Sequence, residues 1–79
     1  MRIPKLGRKV FVEWIDVVGL VNDTLSRAVP APCWSEGLLV RVEEDFIVLA
    51  SSMYSEMEDD PIGDYTVIVI GCIKRIRIV

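Results

Sequence analysis

The chain has no histidine and only two cysteines, Cys33 and Cys72. Without histidine there is no Ser-His-Asp or Cys-His nucleophilic site and no histidine-ligated metal. Two cysteines are too few for a four-cysteine zinc site. Long apolar runs are missing as well. A membrane span needs about 18 or more consecutive apolar residues, and the longest comparable stretch is residues 67–73. The basic start at Arg2 and Lys5 is not followed by an apolar stretch of signal-peptide length. The expected location is therefore the cytoplasm, with both cysteines reduced and serving as small buried fillers. Leucine, the usual filler of helical bundles, occurs only six times.

What the sequence does have is branching at Cβ. Twelve valines and nine isoleucines account for 21 of the 79 residues. Branched side chains lose little on a pleated surface and lose χ1 freedom in a helix, so the expectation is an all-β fold. The length fits one domain, residues 1–79. A domain of this size buries only about 60% of the surface its unfolded chain exposes. With 52% apolar residues, some apolar surface should stay outside, as at an association surface. The net charge is -3, yet seven of the nine basic residues lie near the two chain ends.

Along the chain, residues 1–7 read as an extended lead-in with Pro4 and Gly7. Residues 9–16 alternate as a first strand, with Val10, Val12 and Trp14 on one face and Phe11, Glu13 and Ile15 on the other. Residues 17–35 read as a long loop with at most one helical turn, and Pro30-Ala31-Pro32 is expected to block regular structure. Loops of this length in a small domain are often functional or interfacial. Residues 37–43 and 46–53 form two strands of a hairpin around Glu44 and Asp45. Residues 54–64 are an acidic connector. A fourth strand at 65–70 is apolar on both faces apart from Thr66, so it should be covered on both sides or lie at a subunit contact. Gly71 bends the chain into a short fifth strand marked by Ile73, Ile76 and Ile78. Five short, twisted strands bend readily into a small barrel.

Residues 37–49, G-L-L-V-R-V-E-E-D-F-I-V-L, resemble the first motif of the Sm-like proteins. Residues 67–78, V-I-V-I-G-C-I-K-R-I-R-I, resemble the second. The strand V-F-V-E-W-I-D at 10–16, the run I-V-L-A-S-S at 47–52 and G-C-I at 71–73 are in turn similar to small phage and prophage proteins. The Sm-like resemblance implies an all-β, five-stranded, strongly bent small barrel of Sm-like or SH3-like type. A long loop would separate its first two strands. It also implies a homo-oligomeric ring in which the fourth strand of one copy pairs with the fifth of the next. A phage-like chain would work in the host cytoplasm. Two features of the family's uridine pocket are missing. No asparagine follows Asp45, where Phe46, Ile47 and Val48 stand, and Ile70 occupies the place of the basic residue before the glycine. The turn at 71–73 is one residue shorter than the family pattern, and the family's N-terminal helix is not apparent.

The expected function is accordingly that of a non-enzymatic, ring-forming assembly or structural protein, with no catalytic residue, metal or other cofactor. The interface expected from the resemblance and the apolar pattern involves Tyr65, Val67, Ile68, Val69, Ile70, Ile76 and Ile78. Trp34 either folds the preceding loop onto the barrel or anchors a neighbouring subunit. The alternative is an RNA-binding ring with a non-standard pocket, in which Lys9, Lys74, Arg75 and Arg77 meet phosphates. Their plain reading is a solvated face with charges guarding an edge strand. The acidic run Glu56, Glu58, Asp59, Asp60 and Asp64 lacks the spacing of a calcium loop and reads as a solvated connector. No membrane partner is expected.

Overall fold

The computed structural model describes residues 1–54 and 59–79. Five antiparallel strands make up one sheet: β1 (Lys9–Asp16), β2 (Ala31–Val42), β3 (Phe46–Met53), β4 (Gly63–Val69) and β5 (Ile73–Ile78). Among the described residues the only helical pieces are 3₁₀ turns at Leu25–Arg27 and Ile70–Cys72. The second of these makes the bend expected at Gly71. The strand order is β4-β3-β2-β1-β5. The chain meanders from β1 to β4, then carries β5 back to the free side of β1. β4 and β5 thus lie at the two edges. They do not pair with each other, so hydrogen bonding leaves the sheet open.

Alternation decides which side chains fill the core, because successive residues of a strand point to opposite faces. One cluster gathers Val10 and Val12 from β1, Leu39 from β2, Ile47 and Leu49 from β3, Ile68 from β4 and Ile73 from β5. Every strand contributes to it. Ile3, Trp14, Ile70 and Ile76 pack against its margin. Trp14 satisfies its indole N–H by donating to Ser35 Oγ at 3.0 Å, so its ring can lie at the core without an orphan donor.

The lead-in is tied to this core. Gly7 donates to the Leu39 carbonyl at 2.8 Å, and Leu39 donates to the Arg8 carbonyl at 2.9 Å. Gly7 adopts φ 87°, a left-handed conformation that a side chain would strain. That turn places Ile3 against the cluster.

β2 begins earlier than the proline pattern suggests. It runs from Ala31, and Pro32 stands opposite Ile15 in β1. The first half of β2 has β1 on one side only, since pairing with β3 starts at Leu38. A half-strand with one open side is an edge, where a missing backbone donor is tolerated. The loop between β1 and β2 therefore shrinks to residues 17–30.

Three register shifts bend the ladder: between Leu39 and Arg41 of β2, between Glu13 and Trp14 of β1, and between Ala50 and Ser52 of β3. Such irregularities sharpen local twist and re-aim side chains. The first opposes both Val40 and Arg41 to Val48.

Candidate functional site

The outer face of the sheet, opposite the core, carries two features. The first crosses β5, β1 and β2. Phe11 stands opposite Arg77 on one side and Glu36 on the other, while Glu13 stands opposite Arg75 and Trp34. The diagonal neighbours Phe11 and Trp34 stack, with ring centroids 5.5 Å apart and planes inclined by 18°. The Arg77 guanidinium carbon lies 4.7 Å from the Phe11 centroid. Both distances fall within the attractive range for aromatic and cation–π pairs. The result is a row of Trp34, Phe11 and Arg77 across three strands. Its outer member, Trp34, stays 66% exposed.

This row selects among the candidate cations. Arg75 is engaged with Glu13, Nε to Oε2 at 3.2 Å. Lys74 is the extra residue where β5 slips against β1. Lys9 is exposed and opposite Leu38, at the far end of β1 from Glu13. The chain ends do lie side by side, as Val79 donates to the Lys9 carbonyl at 2.9 Å. Local alternation alone does not single out Phe11. The signal that would have found it is the β1–β2 register, which is hidden until β2 is known to start at Ala31.

The second feature lies across β2, β3 and β4. Val67 stands opposite Val48, Tyr65 opposite Ala50 and Val69 opposite Phe46. Of these, Val48, Tyr65 and Val67 line, with Val40 and Met53, an open depression of about 440 Å³, rimmed by Arg41, Asp59, Asp60 and Pro61. Tyr65 donates its hydroxyl to the Pro61 carbonyl at 2.6 Å, which draws the acidic rim onto β4. Arg41 pairs with Glu43 at 2.9 Å and lies 5.1 Å from the Phe46 ring centroid.

The expected interface residues divide between the two faces. Tyr65, Val67 and Val69 are exposed on β4, as is Ile78 on β5. Ile68 is a correction: it is only 1% exposed and belongs to the protein's own core, because it points to the face opposite Val67. Ile70 and Ile76 also pack against that core and are half-buried.

Residues 17–30 form an arm beyond the end of the β1–β2 ladder. Val17, Val18, Leu20, Val21, Leu25 and Val29 are all exposed on it. Its 3₁₀ turn is held by Arg27 donating to Thr24 and Ala28 donating to Leu25, at 3.1 and 3.0 Å. Asp23 accepts from the Thr24 amide at 2.7 Å and sits 3.5 Å from Arg27. The arm contributes no side chain to the core cluster.

Among the described residues no three histidine, cysteine, aspartate or glutamate side chains converge as a metal site. Of the acidic run, Glu56 and Glu58 lie outside the described residues. Cys33 and Cys72 are half-buried free thiols. No described helix is long and apolar enough to cross a membrane. No protein-family model matches the chain, and no curated protein or solved structure does so either.

Proposed function

We propose that this is a non-enzymatic assembly protein, an Sm-like small bent barrel whose copies join into a ring by pairing β4 of one with β5 of the next. The observation that carries the reading is the pair of open sheet edges. β4 offers seven residues and β5 six, and among the described residues neither has a second strand neighbour. Open edges invite pairing unless charge, proline or a covering element blunts them. β4 is not blunted in this way: its exposed side chains include Tyr65, Val67 and Val69, and its one charge is Asp64. β5 carries Lys74, Arg75 and Arg77, so the two edges differ in charge and favour a head-to-tail contact over a like-with-like one. A head-to-tail contact that closes on itself makes a ring. An assembly or structural role agrees with the likeness to phage proteins, and the lack of histidine favours it over an enzyme.

The expected result in multi-angle light scattering at micromolar concentration is a discrete mass several times the 8.9 kDa protomer. A mass of 8.9 kDa under those conditions would remove the reading.

The aromatic row favours a second reading, single-stranded RNA held on the outer face of β1, β2 and β5. Exposed Trp34 offers a stacking plane, and Arg77, over the Phe11 ring on which Trp34 stacks, supplies positive charge. A base stacked on an aromatic ring contributes about 1–3 kcal/mol. On this reading, short uridine- or adenine-rich RNA is retained on filters at low salt, and Trp34→Ala weakens retention about tenfold or more. Absence of retention at low salt eliminates it.

A further inference from the structure

We infer that the arm at residues 17–30 docks on the apolar depression of a second copy of this chain, a contact separate from the β4–β5 edges. The inference rests on the self-association proposed above and names its second contact surface.

Two features that the described residues leave unfilled match each other. Val17, Val21, Leu25 and Val29 recur at every fourth position of the arm and are exposed, Val21 by 93% and Leu25 by 91%. Side chains exposed to that degree gain nothing from the protomer's own fold. The depression on β2, β3 and β4 presents Val40, Val48, Tyr65 and Val67, with space of about 440 Å³. A hollow of that size, with an apolar floor and a charged rim, suits branched aliphatic side chains carried on a protruding arm.

Charge supports the same pairing. Arg27 leaves most of its guanidinium exposed at the arm's 3₁₀ turn, its side chain being 74% accessible. Asp59 and Asp60 stand on the rim of the depression, where the charge of Arg41 is paired with Glu43. Seating Leu25 in the hollow brings Arg27 to an acidic rim, an arrangement that fixes orientation as well as adding attraction.

An arm cannot fill its own hollow. It leaves the sheet at Asp16 and returns at Ala31, whereas Val40 lies nine residues further along β2. Nine strand residues span about 30 Å, and the molecule is elongated, 49 Å in its longest dimension against 26 and 22 Å. The contact is therefore between copies, with different patches on each side, which makes it head-to-tail. It supplies what edge pairing lacks. A pairing of two short edge strands is marginal by itself in water, and apolar burial by the arm provides the missing driving force.

The test uses full-length protein with two charge-introducing changes. Val21→Asp/Leu25→Asp alters the arm at positions the fold does not use, and Val67→Asp alters the hollow at a side chain 60% exposed. Circular dichroism checks that each retains the wild-type strand signal. Each variant alone is expected to fall from the wild-type mass to 8.9 kDa in light scattering at micromolar concentration. Mixing the two in equal amounts is expected to give a capped dimer, because one copy keeps its arm and the other its hollow. An arm variant that keeps the wild-type mass overturns the inference and leaves edge pairing standing. A monomeric wild-type protein overturns both. Failure of the mixture to dimerise, with both variants folded and monomeric, also overturns the head-to-tail docking.

Discussion

Leu39→Ala is expected to remove a large part of the protomer's stability. Leu39 is fully buried and stands opposite Leu49 at the middle of the core cluster. Its backbone also accepts from Gly7 and donates to Arg8, so β2, β3 and the lead-in meet at this residue. Truncating a buried leucine removes its transfer free energy and leaves a cavity, at a total cost of about 2–5 kcal/mol. Domains have about 0.05–0.15 kcal/mol of stability per residue, so a chain of 79 residues holds about 4–12 kcal/mol in all. The variant therefore loses between about a sixth of that stability and all of it. In urea unfolding followed by tryptophan fluorescence, the midpoint should fall sharply. Leu38→Ala, one residue away on the outer face, should cost no more than about half as much. Equal costs for the two would contradict the assignment of faces.

That contrast between neighbours marks where the sequence was readable. Five strands, their order along the chain and the 46–53 strand follow from β-branched alternation, and β3 is found at Phe46–Met53. The inward face of β1 was equally clear, since Val10 and Val12 alternate with more polar positions. In β2 the same rule places Arg41 with Leu39, and this fails. The register shift after Leu39 turns Arg41 to the outer face beside Val40. A bulge is set by the partner strand and leaves no mark on alternation. Pro32 was misleading for a related reason. Its effect depends on whether the strand has one neighbour or two, which is tertiary information.

The site was less legible than the fold. A strand with valine and isoleucine on both faces, such as β4, signals only that something covers it; which face the core takes depends on the sheet beneath. Ile68 goes inward and Val67 and Val69 outward because Leu49 and Ile47 line the same side as Ile68. The row of Trp34, Phe11 and Arg77 needs three strands in register, and no local pattern contains that register. The location of the apolar excess changes as well. The sequence points to residues 65–78, yet the arm holds six exposed aliphatic side chains that short-range patterning reads as an irregular loop. An apolar loop and an apolar strand have similar composition. They differ in whether the rest of the chain can reach them, and the arm lies beyond the end of the sheet.

The same glycine-to-alanine change should have opposite signs at two positions, Gly37 and Gly19. At Gly37 a Cβ would meet the Ala50 carbonyl oxygen at 2.8 Å, its carbon at 3.3 Å and Leu49 Cβ at 3.3 Å. The first two are backbone of β3, held by the pairing of Leu38 with Ala50 and of Leu39 with Leu49. They can yield only if the strands separate just before the bulge. Gly37 does not have positive φ, so the cost is steric overlap and not backbone strain. Overpacking of this kind costs about 1–3 kcal/mol, which outweighs the gain of about 0.4–1 kcal/mol from a stiffer unfolded chain. Gly19, in the arm, has no atom within 4 Å of an added Cβ and no positive φ. There only the unfolded-state term remains, and Gly19→Ala should be neutral or raise stability by up to about 1 kcal/mol. Thermal melts translate these values at about 4–8 °C per kcal/mol for a domain of this size. Gly37→Ala should lower the melting temperature by several degrees, and Gly19→Ala should leave it unchanged or higher. A Gly37→Ala protein as stable as wild type would mean that β2 does not cross β3 at this close approach, and the bend that separates the core face from the outer face would have to lie elsewhere.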